Sequence, residues 1–148
     1  MSGVDALLLV GLGLLAGLLL RGGWALLRTD PSRALLKLAN RRSASLRSDA
    51  GGIVVAGVEH GRNFSITWRW SPDAPPVLLV GLDCATSATG PVEVGGLNAE
   101  VDDAALAVCM VDPPRAWLDA DRLEGLLGAM AALAEELERG QPGGEEPD

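Results

Sequence analysis

Histidine, cysteine and aromatic residues are scarce in this sequence: its 148 residues include one histidine, two cysteines, four tryptophans and one phenylalanine. The lone His60 supplies no histidine cluster, and Cys84 and Cys109 stand singly inside apolar runs rather than in a C-x-x-C or another zinc spacing. Both cysteines therefore read as small buried hydrophobes, and no metal or cofactor is expected. The 19 glycines fall almost entirely in an apolar N-terminal run, in turns and in the tail, so neither a phosphate-cradling loop nor a nucleophile elbow is present. Positive charge is sparse in the larger part of the chain: residues 48–148 carry five arginines against eighteen acids. Phosphate binding needs a basic face, so nucleic acid is not an expected partner.

Leucine is what the chain has in excess. From Leu7 to Trp24 it reads LLLVGLGLLAGLLLRGGW. A helix from Val4 to Trp24 would measure roughly 31 Å, the thickness of a bilayer's hydrocarbon core. A cleaved signal would want a basic n-region and small residues at its cleavage site, but MSGVD has no basic side chain and RGGWALLR no A-x-A. A buried core helix would want a polar side, and this run is apolar all round. Residues 1–27 are therefore expected to form a transmembrane anchor. Arg21, Arg28, Arg33 and Lys37 follow the run and no basic residue precedes it, which predicts a single-pass inner-membrane protein with its C-terminal domain in the cytoplasm. Trp24 suits the headgroup level on that side. Gly13 and Gly17 form a G-x-x-x-G, a spacing for helix–helix contact that also reflects how common glycine is in membrane helices.

Residues 28–52 read as a basic juxtamembrane helix and linker. Asp30 and Pro31 form a helix start. Arg33, Lys37 and Arg41 then recur at i, i+4 and i+8, with Leu35, Leu38 and Arg42 on the other side. Such a helix would place its basic residues near anionic lipid headgroups and its leucines at the lipid boundary. The alternatives are an extension of the preceding helix or a solvated linker. SASLRSDAGG, Ser43 to Gly52, reads as a flexible hinge.

Residues 53–139 are expected to form an α+β domain. RNFSITWRW alternates, with Phe64, Ile66, Trp68 and Trp70 facing one way and Asn63, Ser65, Thr67 and Arg69 the other, as in a half-buried strand. GIVVAGV precedes it through the tight turn EHGR, where Gly61 can take a positive φ. VLLVGLDC is a further strand, PVEV a short edge strand whose proline suits an edge, and AALAVCMV a fully buried strand. From Asp121, read as a capping residue, to Arg139 the residues Leu123, Leu126, Leu127, Met130, Leu133, Ala134 and Leu137 make one apolar helical stripe. The fold class expected is thus α+β: an N-terminal transmembrane helix, then a small antiparallel β-meander packed against a C-terminal amphipathic helix, with the acidic tail 140–148 disordered.

Within Ala99 to Leu137, Val101-Asp102-Asp103-Ala104-Ala105 leads through Asp112-Pro113 into the leucine-rich final segment. This stretch resembles uncharacterised membrane-anchored bacterial proteins in which an acidic F-D-x-x-F strand precedes a leucine-rich C-terminal helix. Both aromatic positions of that pattern are replaced here. The resemblance implies a domain of unknown function and transfers no active residue.

The combined reading is a non-enzymatic domain that presents an acidic interaction surface to an unknown protein partner or a second copy, anchored to the lipid bilayer. A Trp on an exposed edge, or the small-residue helix face Gly125, Gly128, Ala131 and Ala132, would offer contact points. Two alternatives stand beside it. Glu59 and His60 could do acid–base work at a partner interface, as an accessory subunit or enzyme. The domain could also lie outside the cytoplasm with Cys84 and Cys109 bridged. Asp102, Asp103 and Asp112 read either as a solvated acidic loop or as ligands for a hard cation.

Overall fold

A computed structural model describes residues 31–102 and 104–140. Helix α1 spans Pro31–Arg42 and buries Ala34, Leu35, Leu38 and Ala39 along one side, the i, i+1, i+4, i+5 pattern of an amphipathic helix. Strands β1 (Ser45–Asp49), β2 (Gly52–Glu59), β3 (Arg62–Ser71), β4 (Ala74–Asp83), β5 (Gly90–Val94), β6 (Leu97–Asp102) and β7 (Ala105–Val111) follow. A 3₁₀ turn at Arg115–Trp117 leads into the last helix, α2, Ala120–Arg139.

The strands form one seven-stranded sheet in the order β1-β2-β3-β4-β7-β6-β5, and each pair is antiparallel. Two-residue turns make its hairpins. Glu59 pairs with Arg62 across His60 and Gly61, both at positive φ, as a type I′ turn requires. Val94 pairs with Leu97 across Gly95 and Gly96, again both positive. After β4 the chain crosses to the sheet margin, where β5 carries Pro91, and returns through β6 to lay β7 against β4.

Both helices lie on one face of the sheet. Leu35 and Leu38 of α1, and Leu123, Leu126, Leu127 and Met130 of α2, join Ile53, Val55, Phe64, Ile66, Trp68, Leu78, Val80, Leu82, Leu106 and Val108 in a continuous core. Each fully buried leucine contributes about 1.5 to 3 kcal/mol, so this layer is the principal source of stability. Gly57 shows how closely it packs: a Cβ there would come within 2.9 Å of the Phe64 ring and of Ala44.

Several expectations are corrected. Among the described residues the fold is a seven-stranded antiparallel sheet with two helices, not a small meander under one helix. Among the described residues no helix is long and apolar enough to cross a membrane, so the single-pass, signal-anchored inner-membrane localisation is not supported. The anchor assigned to residues 1–27, with Gly13, Gly17, Arg21 and Trp24, lies outside the described residues, as does Arg28. The leucines Leu35 and Leu38, expected at a lipid boundary, are buried in the protein's own core. The stretch read as a hinge supplies β1, and a strand missed altogether, β6, follows PVEV. Helix α2 begins one residue earlier than expected, with Asp119 at its N-cap and without a side-chain capping bond. The tail 141–148 lies outside the described residues.

Truncation should separate the two faces. Leu38→Ala and Leu127→Ala, each at a fully buried position, are expected to lower unfolding free energy in urea by about 2 to 5 kcal/mol each. Leu79→Ala, on the other face, should cost less than about 1 kcal/mol.

Candidate functional site

Among the described residues the one charged group buried in the core layer is Glu59, 2 % exposed at the end of β2. Its carboxylate accepts from the Arg42 guanidinium at the end of α1, and Arg42 Nε also lies 3.6 Å from Glu124 of α2. Arg41 donates to Asp121 at 2.5 Å and to Glu124 at 3.4 Å. Alternating charges thus tie the C-terminus of α1 to the first turns of α2 and to the β2–β3 turn. The Arg41 guanidinium holds the Asp121 carboxyl below the usual carboxylate range, first by its hydrogen bond and then by its charge. Asp121, expected as a helix cap, serves this ion pair instead.

A second cluster lies at the other end of α2. Arg62 makes a bidentate bond to Glu138, at 2.5 and 2.6 Å, and Glu138 also accepts from the Ala85 amide at 2.7 Å. The hydrogen bond from Arg62 is the largest influence, holding the Glu138 carboxyl below its ordinary value, with the Ala85 amide acting in the same direction against partial burial. These groups fasten the β2–β3 hairpin and the end of β4 to the last turn of α2.

His60 Nε2 lies 3.4 Å from Glu59 Oε1, but the imidazole projects from the turn with most of its side chain in water. Glu59, already engaged by Arg42, and an exposed turn histidine make a structural anchor with a polar neighbour. Cys84 is buried beneath α2, its Sγ 4.0 Å from the Ala134 carbonyl, while Cys109 is exposed on the opposite face. The two thiols are free and on opposite sides of the sheet, which rules out the bridge between them and corrects the reading of Cys109 as buried. Arg33 and Lys37 are exposed along α1, whereas Arg41 is paired as described. Ala131 is buried, so only Gly125, Gly128 and Ala132 remain of the small-residue helix face. Trp68 is in the core, and Trp70, expected on the same side, stands partly exposed within the irregularity between Arg69 and Ser71. Among the described residues no group of three or more His, Cys, Asp or Glu is gathered to hold a metal ion; Asp103 lies outside them.

The feature that residue-by-residue reading missed is the second face of the sheet. One row of paired residues crosses it as Arg47, Val54, Thr67, Leu79 and Cys109. The adjacent row crosses all the strands as Ser45, Ala56, Ser65, Gly81, Ala107, Glu100 and Pro91. Val77 and Val111 pair beside them. Neither helix covers these positions: Leu79 is 41 %, Val58 57 % and Val111 62 % exposed. An antiparallel sheet with one solvated face normally alternates apolar and polar residues. Here β3 and β6 do so, and β2, β4 and β7 do not. GIVVAGV, VLLVG and ALAVCMV are apolar at both parities, a pattern that belongs to strands covered on both sides. That continuous apolarity was the available signal.

Two measurements test the helix-side clusters. The depressed Glu138 carboxyl gives stability that is complete above the ordinary glutamate value of about 4.3 and is lost as pH falls through its lower folded-state value. Glu138→Gln should flatten the pH dependence of the urea midpoint in that acidic window. His60→Asn places the preferred residue of a type I′ turn at the positive-φ position, so stability should hold or rise by a few tenths of a kcal/mol. A loss above about 1 kcal/mol would show instead that the contact to Glu59 holds the turn. No family model matches the chain, nor does any curated protein or solved structure match it significantly, so these readings rest on its own residues.

Proposed function

We propose that this chain is a non-enzymatic protein-interaction domain whose binding surface is the face of its sheet that α1 and α2 leave uncovered. The observation that supports the reading is the exposure of Leu79 at the middle of β4, a central strand, with Val77, Val111 and Cys109 around it. Contiguous apolar surface on a soluble domain costs free energy unless a partner removes it from water, and such patches mark binding sites. The helix-side charges act as fasteners in this reading. They bind helices to sheet and leave the opposite face as the part of the domain available for contacts.

The test is photocrosslinking in living cells with benzoylphenylalanine in place of Leu79, and, as a control, in place of Glu135 on the exposed side of α2. A discrete intermolecular adduct from position 79 and none from position 135 is the expected result. No adduct at position 79, or a crosslink confined to the single chain, would overturn the reading.

A further inference from the structure

The face that α1 and α2 leave uncovered is polarised. Arg47 on β1 and Arg69 on β3 are exposed on one side of the apolar centre, and Glu100 on β6 and Glu93 on β5 on the other. None of these four makes an ion pair among the described residues, whereas Arg41, Arg42 and Arg62 on the helix side are all paired. Asp49, also on the β1 side, accepts from the Gly51 amide. Asp83 at the end of β4 accepts from Asn63, and Asp102 on β6 is likewise engaged. Charges that the described residues leave unanswered thus flank an apolar stripe, positive on one side and negative on the other.

Resting on the reading of this face as an interaction surface, we infer that its partner is a second copy of this chain, stacked face to face about a two-fold axis running along β4. Such an axis lies between the two sheets and places β1 over the partner's β5, β2 over its β6 and β3 over its β7. Because each neighbouring pair is antiparallel, β1 and β5 run in the same direction across the sheet. Ser45 and Pro91 end the same row, and Arg47 and Glu93 each lie two residues further on. Arg47 of each copy therefore faces Glu93 of the other, twice over by symmetry. Leu79 and Val77, on the axis, each pack against their own symmetry mates, and Thr67 lies over the other copy's Cys109.

The dimensions suit such a pair. Six inter-strand steps of about 4.8 Å by roughly 20 Å along the strands give on the order of 600 Å² per copy, about 1,200 Å² in all, the lower end of specific interfaces. Aligned sheets pack about 10 Å apart, a spacing that leucine and valine side chains from both faces fill. The opposite arrangement, with the axis across the strands, would stack β1 on β1 and bring Arg47 against Arg47. Like-charge contact disfavours it.

Sedimentation equilibrium of the full-length chain at low ionic strength tests the inference. The wild type should be a dimer, and Arg47→Glu and Glu93→Arg should each raise the dimer dissociation constant at least tenfold. An equimolar mixture of the two variants should recover the wild-type association, because each copy then carries like charges that meet the opposite sign on its partner. Recovery on mixing also shows that both variants are folded. A monomeric wild type, or self-association indifferent to both reversals, overturns the second copy as the partner. If position 79 nonetheless yields an adduct with a different protein, the interaction reading stands and only the identity of the partner fails. If position 79 yields no intermolecular adduct, both fail.

Discussion

Burying the face of a seven-stranded sheet requires something broad laid across it, and α1 and α2 together do this once, for one face. The apolar stripe of α2 covers the middle of the core, and Leu35 and Leu38 of α1 complete it toward β2. Much of the remaining arrangement is a consequence of that coverage. Glu59 is buried because α1 ends over the hairpin, and Arg42 is there to receive it. The β2–β3 turn is held tight because its two flanking residues each reach a helix, Glu59 through Arg42 and Arg62 through Glu138.

Magnitudes divide the labour between these interactions. Exposed or half-exposed ion pairs contribute about 0 to 1 kcal/mol each. A buried leucine contributes about 1.5 to 3 kcal/mol, and the core holds many. Apolar burial therefore attaches the helices, while the ion pairs set where along the sheet each helix stops. The exception is Arg42 with Glu59. Removing Arg42 would leave a carboxylate in the core layer without its partner, a far larger cost than the pair's net gain.

Legibility in the sequence followed the strength of local pattern. The alternation of RNFSITWRW, the positive-φ turn at His60-Gly61 and the stripe of α2 each carry a period or a turn chemistry, and the structure contains all of them. SLRSD has no apolar period, and its strand exists because β2 offers it hydrogen-bonding partners. LNAEVD is signalled by Gly95-Gly96, a two-residue turn between Val94 and Leu97. An amphipathic helix records that one side must leave water but not what covers it, lipid or protein, and α1 is such a helix. The same ambiguity affected ALAVCMV. Its two apolar parities suggest complete burial, although α1 and α2 cover one face only.

The margins of the sheet bear on how far any association can go. Sheets commonly aggregate by adding strands to an open edge, and both outer strands here are poor templates. β1 is five residues long, exposed throughout and charged. β5 is equally short and carries Pro91, which lacks an amide hydrogen, beside Glu93. Lateral growth into a continuous fibre is thereby discouraged from either end. Contact through the flat of the sheet about a two-fold axis uses up the surface that forms it, so the assembly closes at a defined size.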